Sequence, residues 1–110
     1  MYIAILILKS EAYAKQVVST LIEFEVYDAT VLDGEGLENV ATETMPILSE
    51  ITSLFGQEIS FNKTMIFGTK DRNTIEQINR SLKDQGIDFT QPEVGTLMAF
   101  PCELYISEEG

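Results

Sequence analysis

The run YIAILIL, residues 2–8, is apolar at every position and closes on Lys9-Ser10-Glu11. It is far too short to span a membrane and has no basic lead-in, so it reads as a fully buried strand rather than a span or a signal segment. The next residues narrow the fold further. Ser10 can cap a helix, and Tyr13, Ala14, Val17, Val18, Leu21 and Ile22 recur at helical spacing, which predicts a helix over 10–24. The same order then returns. ISFNKTMIFGT predicts a strand over 59–69, and Lys70-Asp71 stands where Lys9-Ser10 stood. Ile75, Ile78 and Leu82 share one face of a helix predicted over 71–85, with Glu76 and Arg80 as an i,i+4 pair and Gly86 as its stop.

Two more strands complete the set. YDATVLD (27–33) sets Tyr27, Ala29 and Val31 against Asp28, Thr30 and Leu32, and GTLMAFPCELYI (95–106) carries a Pro101 that belongs at a sheet edge or a bulge. Between them, Pro46 and Gly56 bracket a short helix over 45–55, with Ile47, Leu48, Ile51, Leu54 and Phe55 on one side. The expected fold is α+β, a ferredoxin-like βαββαβ with an extra short helix between strands 2 and 3, in one domain over 1–110. In that fold helices cover one face of the sheet, so strands should alternate. YIAILIL, TMIF (64–67) and TLMAF (96–100) do not alternate. Their second face would lie bare on a single subunit, and the expected remedy is oligomerisation through the open sheet face.

Composition excludes several functions. The chain carries 18 acids against 7 bases, a formal charge of −11, so it lacks the clustered cations that phosphate backbones or anionic membranes require. One cysteine, Cys102, cannot form an internal disulfide, which fits a reducing cytoplasm. There is no histidine, hence no Ser-His or Cys-His pair and no ordinary zinc site. Acids are plentiful enough for a carboxylate-only hydrolase or a Mg²⁺ site, but abundance supplies no geometry, and the expectation is a non-enzymatic protein.

The stretches DATVLDGEGLE (28–38) and VGTLMAFPCELYI (94–106), with a long insert between strands 2 and 3, resemble the P-II-like signalling superfamily of nitrogen-regulatory proteins and their cyclic-dinucleotide-binding relatives. The resemblance implies a cytoplasmic homotrimer with clefts between subunits that take an adenine nucleotide or a cyclic dinucleotide. It also implies a long loop, here 39–60, that acts on a regulated protein target. Carried onto this chain, one cleft wall is Ala29, Thr30, Gly34, Gly36, Leu37 and Glu38, and the other comes from about 84–90 with Gly86 and Phe89.

This chain departs from that pattern at the loop base, where Gly34-Glu35-Gly36-Leu37-Glu38 replaces the family's GFGRQ and its Arg and Gln. Across 28–38 and 84–93 stand seven acids (Asp28, Asp33, Glu35, Glu38, Asp84, Asp88, Glu93) and no base. A bound phosphate would therefore meet like charge at roughly 1 to 4 kcal/mol per close pair unless a cation such as Mg²⁺ bridged them. The Gly-x-Gly reads as a tight turn at the loop base or as a surviving small-molecule cleft; Asn39 in place of a third glycine excludes a dinucleotide fingerprint. No Tyr occurs in 39–62, so uridylylation of the family's kind has no acceptor. Ile47, Leu48, Ile51, Leu54 and Phe55 either pack on the trimer's own body or wait for a partner's groove. Two further readings stay open: a structural trimer without ligand, and a CutA-type trimer associated with divalent metals.

Overall fold

The computed structural model describes residues 1–37, 40 and 61–108. Strand β1 (Tyr2–Leu8) leads through a 3₁₀ turn (Glu11–Tyr13) into helix α1 (Ala14–Glu23), followed by β2 (Thr30–Glu35), β3 (Phe61–Thr69), α2 (Arg72–Asp84) and β4 (Gly95–Pro101). The strands form one sheet in the order β2-β3-β1-β4, with every neighbouring pair antiparallel. The fold is thus α+β, a four-stranded antiparallel sheet with two helices. The expected helix over 45–55 lies outside the described residues.

Local chemistry explains the helix ends. Ser10 Oγ accepts from the Ala12 N–H at 3.3 Å and starts a 3₁₀ turn, so α1 proper opens four residues later than its cap suggested. Asp71 Oδ1 accepts from both the N–H and the hydroxyl of Thr74, each at 2.9 Å, and begins α2 directly. Both helices stop in the same way. Glu25 and Gly86 adopt left-handed backbone, at φ +62° and +89°. Val26 N–H then donates to Leu21 C=O at 2.9 Å, and Ile87 N–H to Leu82 C=O at 2.8 Å. These are Schellman closures, and the paired residues Val26–Leu21 and Ile87–Leu82 are buried together.

One face of the sheet carries the core. Ala4, Leu6 and Leu8 of β1 and Met65 and Phe67 of β3 pack with Val17 and Leu21 of α1 and Ile75, Ile78 and Leu82 of α2. The buried stripe of α1 is Val17, Thr20 and Leu21, while Val18 and Ile22, expected on it, are exposed at 40% and 52%. The stripe rotates because Thr20 is needed inward: its hydroxyl accepts from Gln85 Nε2 at 2.9 Å, tying α1 to the end of α2. Glu76 accepts from Arg72 Nε at 2.9 Å, so the α2 ion pair forms towards the helix start rather than with Arg80.

No described helix covers the other face. By register it carries Ile3, Ile5 and Ile7, Ile66 and Gly68, Met98 and Phe100, and Thr30 and Leu32. Leu32, Met98 and Phe100 are 43–48% exposed. The non-alternating strands therefore do leave an apolar second face. Tyr105 and Met1 lie over part of it, both close to Gly68. Strand β4 is an edge strand and ends at Pro101, five residues short of the predicted end, because β1 begins at Tyr2 and leaves it no partner beyond the Cys102–Met1 backbone bond. Strand β2 starts at Thr30 rather than at 27, after the Glu25 closure and a connecting stretch that leaves Tyr27 74% exposed.

Candidate functional site

Antiparallel pairing of β1 with both β3 and β4 makes those two strands run the same way, so α2 must return against both. The return leaves a groove of about 690 Å³ between α2 and the outer edge of β4. Its floor is Ile75, Leu97 and Phe89, the first buried and the others partly so, all against the core. Its helix wall is the polar stripe Arg72, Glu76, Asn79 and Lys83, and its end is the turn Asp88-Phe89-Thr90.

Asp88 builds that turn. Its Oδ1 accepts from the Thr90 hydroxyl at 2.7 Å and from the Thr90 N–H at 2.9 Å. These two bonds, the hydroxyl's first, hold the carboxyl below the ordinary aspartate range, with a smaller contribution from Lys83. Asp88 therefore stays ionised and fixes Phe89 at the groove mouth. Lys83 makes no ion pair among the described residues, whereas Arg72 is engaged by Glu76. The groove can offer an apolar floor, the Lys83 ammonium, which no carboxylate among the described residues bridges, and an edge-strand backbone that no described strand covers.

The residues expected to form a cleft fall into two separate places. Thr30 opens β2 opposite Ile66, Ala29 precedes it half-buried, and Gly36 and the 80% exposed Leu37 come after the strand. Glu38 lies outside the described residues, as do Ile47, Leu48, Ile51, Leu54 and Phe55. Phe89 sits beside the opposite edge strand, β4, and Gly86 closes the end of α2 that leads to it. β3 and β1 stand between β2 and β4, so within one chain Thr30 and the β4 strand beside Phe89 are about 14 Å apart at ~4.8 Å per strand.

The Gly-x-Gly expectation is corrected in part. Gly34 lies inside β2 opposite Asn62, with no left-handed backbone, and a Cβ there would sit 3.2 Å from Asn62 Oδ1. It is a close-packed strand glycine, and a turn can involve only residues beyond it. The picture of a cleft wall without a base also changes. Lys83 lies one residue before the 84–93 window and Arg72 further up the same helix, and both reach the groove. The signal was present as polar residues at 72, 76, 79 and 83, a helical i, i+4, i+7, i+11 stripe beside the apolar one.

A second depression of about 830 Å³ lies at the far end of the sheet, between the α1–β2 connection and the start of α2, lined by Phe24, Tyr27, Lys70 and Tyr105 among others. Among the described residues no group of three acid or cysteine side chains is placed to hold a metal, and no helix is long and apolar enough to cross a membrane. No known protein family's profile matches the chain, and no curated protein matches its sequence.

Proposed function

We propose that this chain is a non-enzymatic, P-II-like regulatory protein of ferredoxin-like fold, a homotrimer that senses a small ligand between subunits and acts on a protein target through residues 39–60. The observation that carries the reading is the apolar second face of the sheet, where no described helix covers Ile3, Ile5, Ile7, Ile66, Leu32, Met98 and Phe100, the last three of them exposed. Burial of such a face against other copies removes apolar area from water at ~25 cal/mol per Å². The strand order and the two helices between strands support the ferredoxin-like topology. The placement of the two predicted cleft walls at opposite sheet edges favours a cleft made by two subunits over one within a chain.

Light scattering coupled to gel filtration tests the assembly: a trimer is expected, and a monomer at micromolar concentration overturns the reading. A thermal-shift screen with adenine nucleotides, cyclic dinucleotides and divalent cations tests sensing, since a ligand at a hundredfold excess over Kd stabilises by about 2.7 kcal/mol. A trimer that no compound stabilises would be a structural assembly instead. ATP without metal is expected to bind weakly. The groove's two cations are offset by Glu76 and Asp88, and on the β2 side Asp33 is itself paired with Lys63 at 3.3 Å while Glu35 adds negative charge. Micromolar ATP affinity in metal-free calorimetry would contradict this.

A further inference from the structure

The outer edge of β4 pairs with no described strand and is suited to accept one. Lys9 N–H donates to Val94 C=O and Cys102 N–H to Met1 C=O, each at 3.0 Å, and these bonds bracket the β1–β4 ladder. Hydrogen-bonded pairs recur every second residue, so Thr96, Met98 and Phe100 turn their backbone groups towards β1. Gly95, Leu97 and Ala99 turn theirs to the open edge. That edge carries no charge from Gly95 to Pro101, whereas the opposite edge strand carries Asp33 and Glu35, the usual device against unwanted pairing.

We infer that this edge and the groove beside it receive residues 103–108 of a second copy of the chain, added as a strand antiparallel to β4. That segment lies outside the sheet in its own subunit, with Tyr105 laid near Gly68. Leu104 and Ile106, on the other side by the period of two, are exposed at 74% and 83%. It cannot reach its own β4 edge, because Cys102 is bonded to Met1 and Tyr105 is near β3, beyond β1 from that edge.

Spacing and charge match the two surfaces. An added strand antiparallel to β4 runs along α2. Ile75, Asn79 and Lys83 then stand about 6 Å apart along the helix, at four residues and 1.5 Å each. Leu104, Ile106 and Glu108 stand about 6.6 Å apart along an extended chain. Leu104 meets the Ile75 and Leu97 floor, Ile106 passes Asn79, and Glu108 reaches Lys83, which no carboxylate among the described residues bridges. A head-to-tail exchange of this kind closes a ring when the rotation allows, so the inference rests on the homo-oligomer reading and specifies one contact within it.

The test is directed cross-linking in a Cys102→Ser background. Chains bearing Asn79→Cys are mixed with chains bearing Ile106→Cys, allowed to exchange and then oxidised mildly; both positions are exposed, so neither change should disturb folding. A disulfide-linked dimer at least about tenfold above a Ser19→Cys control on α1 is expected. Glu108→Lys should reduce the yield, and adding Lys83→Glu should restore it. An oligomer by light scattering without preferential cross-linking overturns the segment exchange and leaves the trimer standing. A monomer overturns both.

Discussion

Gly95 and Glu25 are the two residues at which backbone conformation and side chain most plainly decide stability. Gly95 has φ +146°, and a Cβ there would run into the Ile7 carbonyl oxygen of the neighbouring strand. Neither the conformation nor the space admits a side chain. Gly95→Ala is expected to cost roughly 2 to 4 kcal/mol in denaturant unfolding, from backbone strain plus displacement of β1 from β4. Glu25 is the reverse case: a glutamate at φ +62°, where Gly86 serves in the second helix. A left-handed non-glycine residue costs about 1 to 2 kcal/mol, and glycine returns part of that as unfolded-chain entropy. Glu25→Gly should therefore stabilise by about 0.5 to 1 kcal/mol, seen as a higher denaturant midpoint with an unchanged slope. A lower midpoint would mean that the exposed Glu25 side chain makes a contribution its geometry does not reveal.

At the scale of an element, α2 shows how one cap sets a helix and its response to pH. Asp71 is held below the ordinary aspartate range first by the Thr74 N–H and then by the Thr74 hydroxyl. Its folded-state pKa is depressed, so its contribution is fully present above the unfolded value of about 3.9 and is lost as pH falls through the folded value. Asp71→Ala should lower the unfolding midpoint at pH 7, and the two proteins should converge as the pH is taken well below 3.9. A gap that persists in acid would mean that the loss comes from packing rather than from the ionised cap. The helix's other end ties into α1 through Gln85 and Thr20, a buried hydroxyl at 1% exposure. Gln85→Ala would leave that hydroxyl without a side-chain partner and should cost roughly 1 to 3 kcal/mol by chemical denaturation.

For the molecule as a whole, the sheet face that no described helix covers is where the proposed assembly can be set against stability. Phe100 lies on it at 45% exposure, opposite Ile3 on an edge strand. In a single subunit Phe100→Glu places its carboxylate at the rim, where water reaches it. Folding should survive, with far-ultraviolet dichroism unchanged. In an assembly closed through that face, the same carboxylate would be buried without a partner, costing several kcal/mol per subunit. Phe100→Glu is therefore expected to yield a folded monomer by light scattering. A mutant that stays assembled would move the interface elsewhere on the molecule.

Patterns of period and punctuation told most of what is local. The apolar runs at 2–8 and 64–67, the spacing of Ile75, Ile78 and Leu82, the caps at Ser10 and Asp71 and the stop at Gly86 place strands and helices within a few residues. They do so because each depends on neighbours less than a turn or two away. The lack of alternation also pointed to an apolar second sheet face, which no described helix covers. Where elements end depended on partners far along the chain. Strand β4 stops where β1 has no more residues to offer, β2 begins after an unexpected left-handed glutamate, and the α1 stripe turns to present Thr20 to Gln85. The groove belongs to the same class. Lys83 and Arg72 meet Phe89 and Leu97 only because α2 returns antiparallel beside an edge strand. A count along the chain separates residues that the fold brings together, since strand pairing and helix packing join positions by register across the sheet rather than by distance in sequence.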